Sequence, residues 1–272
     1  MRRFFLPALV VTAAVLTVAS SARAQHDDYD DGPRHYDSTF SSKHQIASGG
    51  TMRVQNLNGS IEVDASDNGT TSIEAIKSWR RGDPADVRIV VEPGNNGVTV
   101  CALWSDEKDC NDHGSRNYHG NRHNDVSVHF MVHVAKGVKV DLNTVNGSVD
   151  VRGVTASVDA ETVNGRVEVA TLGGPVNVHT VNGNVRATIE HLINSAEPLE
   201  LSTVNGSVQL DAPGDLNAVV DAETTNGGIE SDFPLTINKG MIGKHIHGTI
   251  GQGGRSVELH TTNGSVRLKK LG

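Results

Sequence analysis

The dipeptide Asn-Gly occurs nine times in this 272-residue chain, and seven copies share one frame: Asn58, Asn146, Asn164, Asn182, Asn205, Asn226 and Asn263. Their glycines are Gly59, Gly147, Gly165, Gly183, Gly206, Gly227 and Gly264. From Gly147 onward the glycines are 18, 18, 23, 21 and 37 residues apart, a solenoid-like period with insertions. Six residues before each Asn stand Met52, Val140, Val158, Val176, Leu199, Val220 and Val257. Four before stand Val54, Leu142, Ala160, Val178, Leu201, Ala222 and Leu259, and two before is Thr in every copy except Asn56. Three after come Ile61, Val149, Val167, Val185, Val208, Ile229 and Val266, with polar residues between. Apolar residues therefore alternate with polar ones on both sides of a turn, which is strand–turn–strand with one buried face. A 3.6-residue period never appears, so helix is excluded.

Two all-β architectures satisfy this phase. One is a β-solenoid, or β-helix-like stack, of 18–23-residue strand–turn–strand units with the Asn-Gly corners in register. The other is a hairpin meander or β-roll with type I′ Asn-Gly turns. In either, each repeat glycine is expected to hold a positive φ that only Gly or Asn accepts cheaply. Identical residues recurring at a near-constant period favour the stack, because stacked coils put the same side chain in the same column. Aromatics are only 4% of the chain, so the core is built from small, mostly β-branched side chains.

The amino terminus has the form of a secretory signal. Arg2 and Arg3 precede an apolar run from Phe4 to Val18, and Ala22-Arg23-Ala24 is a small-x-small cleavage site before Gln25. Residues 1–24 are thus expected to be removed after Ala24, placing the protein in the periplasm or outside the cell. No second long apolar run follows, so no membrane span is expected after cleavage. Cleavage takes 3 of the 24 basic residues and no acid, leaving 21 against 32, so the formal charge moves from −8 to −11. A surface of that sign repels nucleic acid and anionic lipid. Residues 25–42, QHDDYDDGPRHYDSTFSS, read as a disordered acidic/His leader. Residues 43–272 read as a single β-repeat domain with an irregular His-rich loop at 104–124.

The segments Thr144–Val149, Thr203–Val208 and Gly251–Val266 resemble the bacterial "putative adhesin" family of β-strand-repeat domains of unknown function. The resemblance covers roughly 43–272 and is strongest from 136 onward. It implies an exported, solenoid-like, non-enzymatic protein without cofactor, acting as an envelope or cell-surface scaffold or adhesive. Its partner would be an envelope or surface component.

Cys101 and Cys110 are expected to pair in an oxidising compartment, the alternative being a reactive or metal-binding thiol pair. His113, His119 and His123 lie in the loop with Asp112 nearby and are weak metal candidates. They support the alternative reading of a periplasmic metal- or ligand-binding module. His129 and His133 share a strand face but stand about 13 Å apart, too far for one ion. His245 and His247, about 7 Å apart on one face, reach a shared ion only with help from another element. Nucleophile elbows, zinc-protease and phosphate-loop motifs are absent from the sequence. Five before the six later repeat asparagines stand Asp141, Asp159, Asn177, Glu200, Asp221 and Glu258. Stacked at about 4.8 Å they form a carboxylate ladder that would bind a divalent cation weakly.

Overall fold

The computed structural model describes residues 33–272, except 68, 105–108, 111–123, 192–197, 236, 240–242 and 272. The expected signal and the first part of the leader lie outside the described residues. The amino-terminal strands are β1 (His35–His44), β2 (Thr51–Gln55), β3 (Ile61–Ala65), β4 (Thr71–Trp79), β5 (Val87–Gly94), β6 (Gly97–Trp104) and β7 (Ser127–Val134). The central repeats are β8 (Lys139–Asn146), β9 (Val149–Val154), β10 (Val158–Asn164), β11 (Val167–Thr171), β12 (Val176–Asn182), β13 (Val185–Ile189), β14 (Leu199–Asn205) and β15 (Val208–Ala212). The carboxy-terminal strands are β16 (Ala218–Asn226), β17 (Ile229–Ser231), β18 (Ile237–Lys239), β19 (Lys244–Ile250), β20 (Arg255–Asn263) and β21 (Val266–Lys270).

These strands build a two-sheet β-solenoid. Sheet A runs β1-β4-β7-β3-β9-β11-β13-β15-β21-β17, and sheet B runs β18-β19-β16-β20-β14-β12-β10-β8-β2-β6-β5. Each of the seven Asn-Gly repeats supplies one strand to sheet B, turns at Asn-Gly, and supplies the next strand to sheet A. Repeats pair in parallel, as β8, β10, β12 and β14 do in sheet B, and so the hairpin-meander alternative is set aside. Among the described residues, antiparallel pairing is confined to the ends: β1–β4, β4–β7, β5–β6, β16–β19 and β18–β19.

The core follows from the alternation. Phe130, Ile61, Val149, Val167, Val185, Val208, Val266 and Ile229 form one continuous column in sheet A. All are buried, with exposures between 0% and 7%. Facing them, Met52, Val140, Val158, Val176, Leu199, Val257 and Val220 form a column in sheet B. With so few aromatics, these stacked aliphatic rows supply most of the apolar burial.

Stacking order departs from chain order at both ends. The first coil in sequence, β2/β3, lies between β6/β7 and β8/β9. The last, β20/β21, lies between β14/β15 and β16/β17. Each end of the chain thus runs outward to build a cap and then places a coil one position inward. The long glycine spacings, 88 residues from Gly59 to Gly147 and 37 from Gly227 to Gly264, are these excursions.

The leader expected to be disordered over 25–42 is ordered from His35. Residues 35–44 pair with β4 as an edge strand, and Phe40 packs partly buried against the core. A polar segment gains a strand this way because the ladder bonds are made by backbone alone, whatever its side chains. Cys101 and Cys110 form a disulfide with Cα atoms 5.9 Å apart. With Leu103 and Val90 they make a small apolar cluster of their own, separate from the main core.

Candidate functional site

The repeat motif Thr-x-Asn-Gly builds a corner in which each residue contacts the neighbouring coil. The asparagine amides form an unbroken ladder: Asn146 donates to Asn58, Asn164 to Asn146, Asn182 to Asn164, Asn205 to Asn182, Asn263 to Asn205 and Asn226 to Asn263, all at 2.8–2.9 Å. The buried threonine hydroxyls cap the glycine carbonyls of the adjoining coil. Thr144 donates to Gly59, Thr162 to Gly147, Thr180 to Gly165, Thr203 to Gly183, Thr261 to Gly206 and Thr224 to Gly264. In the exceptional copy the Asn56 amide donates instead to Val128 O at 2.8 Å and to Gly59 O at 3.0 Å.

The glycines are required for a different reason from the one expected. Gly59 has φ +118°, but Gly147, Gly165, Gly183, Gly206 and Gly227 lie outside the left-handed region. Parallel stacking needs no mirror-image turn, so the positive-φ expectation fails at these five. Instead, a Cβ on Gly165 would stand 2.0 Å from the carbonyl oxygen of Gly147, and one on Gly183 1.9 Å from that of Gly165. The corner is a column of glycines packed backbone on backbone.

Outward-facing residues of sheet B form two further columns. The first runs Arg53, Asp141, Asp159, Asn177, Glu200, Glu258, Asp221 and His247. Its order differs from the sequence because β20 is inserted, and part of its charge is met within the protein. Arg53 Nε pairs with Asp141 at 2.7 Å, Asn177 donates to Asp159 at 3.3 Å, and Ser256 donates to Glu258 at 3.2 Å. Partial desolvation among the adjoining strands, then Asp141, raise the Asp159 pKa above its ordinary value. The second column contains Glu161, His179, Ser202, His260, Glu223 and His245. His179 Nδ1 lies 2.9 Å from Ser202 Oγ.

The outer face of sheet A is charge-paired. Arg152 meets Glu62 at 2.8 Å, Arg166 meets Asp150 at 3.2 Å, and Arg186 meets Asp211 at 2.9 Å. His129 and His133 lie on this face, half-buried and exposed respectively. Sequence reasoning missed that His129 Nδ1 contacts Ser60 Oγ while its Nε2 lies 3.7 Å from Glu62. The order serine–histidine–carboxylate resembles a nucleophilic triad. However, it lies on an open sheet face, and the Arg152 guanidinium holds the Glu62 carboxyl below its usual range. A shallow depression of about 160 Å³ lined by Thr51, Arg53, Asn96 and Thr99 is smaller than a typical ligand pocket. His113, His119 and His123 lie outside the described residues. Among the described residues, no helix is long and apolar enough to cross a membrane.

A stack of parallel coils with laddered corners defines the protein as a β-solenoid. The chain belongs to the Toastrack family, DUF4097, whose profile matches residues 124–269, more than half of its length. No curated protein matches it. Among solved structures it is similar to a putative cell adhesion protein from Clostridium sporogenes, at 10% identity and a TM-score of 0.44, covering 85% of this chain and 99% of that one. It is also similar to a "putative adhesin" from Bacteroides fragilis, at 12% identity and a TM-score of 0.31, covering 85% and 96%. A third is described as a "Putative lipid binding protein", from Parabacteroides distasonis, at 7% identity and a TM-score of 0.22, covering 86% and 96%.

Proposed function

We propose that the protein is a non-catalytic scaffold of the bacterial envelope or cell surface, exported by a signal cleaved after Ala24. The observation that carries this reading is the outer face of sheet B, where polar columns repeat in register over consecutive coils. Such a face suits contact with an extended partner better than enclosure of a small substrate. Its aspartate and glutamate content turns it away from nucleic acid and anionic lipid. The partner is therefore an envelope or surface component presenting polar or basic groups.

The test uses the full chain expressed with its own leader in a bacterial host. The mature protein should begin at Gln25 by mass spectrometry, fractionate with the envelope or medium, and crosslink to an envelope component through residues placed on sheet B. An uncleaved cytoplasmic product, or crosslinking confined to sheet A, would overturn the reading.

A further inference from the structure

At the carboxy-terminal end of sheet B, β19 runs antiparallel to β16, setting His247 opposite Asp221 and His245 opposite Glu223. The two imidazoles, two residues apart, project from the same face, with ring centroids 6.4 Å apart and planes inclined at 26°. Asp221 projects between them. Its Oδ2 lies 3.3 Å from His247 Nδ1 and 3.7 Å from His245 Nε2, and the three ligand atoms all fall within 4.8 Å of one another. Asp221 is the other element that the two histidines require.

The spacing matches a known coordination geometry. Tetrahedral bonds of about 2.0–2.1 Å place neighbouring ligands about 3.3–3.4 Å apart. The Asp221–His247 distance already meets that value, and the Asp221–His245 distance closes with a small side-chain rotation. The backbone need not move, because seven consecutive register pairs fix β19 against β16. All three side chains are partly open to solvent, at 35%, 42% and 63%, which leaves room for a water in a fourth position.

From this geometry we propose that Asp221, His245 and His247 form a divalent transition-metal site of the Zn²⁺ class. Two imidazoles and one carboxylate suit borderline cations and leave too few oxygens for Ca²⁺ or Mg²⁺. Glu223 and Glu258 occupy adjoining positions on β16 and β20 and add negative potential. A bound ion bridges β16 of the outermost repeat coil to the cap strand β19, so it staples the carboxy-terminal end of the stack.

The probe is Zn²⁺ alone, titrated into the mature chain and followed by calorimetry and thermal melting, with Ca²⁺ as control. The expected result is one tight equivalent of Zn²⁺ and a melting temperature raised by Zn²⁺ and not by Ca²⁺. His245→Ala or His247→Ala should weaken that equivalent about a hundredfold or more, and Asp221→Asn at least tenfold. A variant with His113, His119 and His123 all changed to Asn should keep it, which separates this site from the loop. X-ray absorption of the loaded protein should show two imidazole nitrogens and two oxygens, those of Asp221 and the water. Unchanged Zn²⁺ affinity in both single histidine variants, loss in the loop variant, or no Zn²⁺ binding at all would each overturn the proposal.

Discussion

At the scale of single residues, the repeat corner joins three different requirements in four positions. Threonine satisfies a neighbouring carbonyl, asparagine continues an amide ladder, and glycine lets two backbones touch. The glycine requirement is steric, and this makes a discriminating prediction. Asn tolerates left-handed backbone, so a conformational requirement would accept Gly165→Asn. A Cβ 2.0 Å from the Gly147 oxygen has no such escape. Gly165→Asn and Gly165→Ala should therefore both destabilise by about 3 kcal/mol or more in urea titrations. Gly49→Asn, at φ +85° with open space around the Cβ, should cost little.

Two carboxylates should respond to pH with opposite signs. The folded pKa of Asp159 lies above its ordinary 3.8, so its charge opposes folding above that raised value, and the penalty fades as pH falls to 3.8 and below. Asp159→Asn should raise the melting temperature at pH 7, with the gain vanishing near pH 3. Glu62 is shifted below its ordinary 4.5 by Arg152, so it favours folding above 4.5 and loses that contribution as pH falls through the lowered value. Glu62→Gln should lower the melting temperature at pH 7 and converge with the parent protein in acid.

At the scale of strands and coils, alternation and turn were legible because each coil repeats one apolar pattern. Val149, Val167, Val185 and Val208 share a column because their strands pair in register. The order of coils was not legible, for the same reason: a coil that fits every neighbour carries no label for its own place. The 37-residue gap before Asn263 marked an insertion but not that β20 would return between β14 and β16. The partnership of Asp221 with His245 and His247 was hidden likewise, since β19 meets β16 by antiparallel pairing outside the repeat frame. The inserted order has a direct test. Val266 lies between Val208 and Ile229, so Val266→Asp should cost several kcal/mol and unfold the stack as Val167→Asp would. Ile229→Asp, in the outermost position of sheet A, should be milder. Equal effects at 229 and 266 would contradict the stacking order.

The disulfide belongs to this scale too, because it fastens the segment after β6 back against β5 and β6. Cys110 N also donates to Glu92 on β5 at 3.0 Å. Closing so short a loop contributes about 2.5–3 kcal/mol on the chain-entropy account. Exported, denatured and unreduced protein should show no reactive thiol, and reduction should lower the urea midpoint.

At the scale of the whole molecule, the two sheets share one core yet face outward differently. Sheet A pairs its charges across strands, whereas sheet B concentrates acids and histidines in columns. At the carboxy-terminal end the sheet edges are short strands, β17 and β18 having three residues each, which offer little for another chain to pair with, whereas the amino-terminal edges are the longer β1 and β5. The placement of the terminal coils also governs how the molecule bears load. A force applied at the carboxy terminus pulls on β21, which is bonded on both sides, to β15 and to β17. Peeling an outermost coil is therefore not open to it, and two parallel ladders must yield together in shear. At the amino terminus the pull first strips β1 from its edge and then meets β2, held between β6 and β8. Under tension the stack should thus give way in one high-force event preceded by a small early release from β1, instead of the sawtooth of coils unwinding in turn. Loaded between its termini, the fold therefore fails abruptly instead of yielding by degrees.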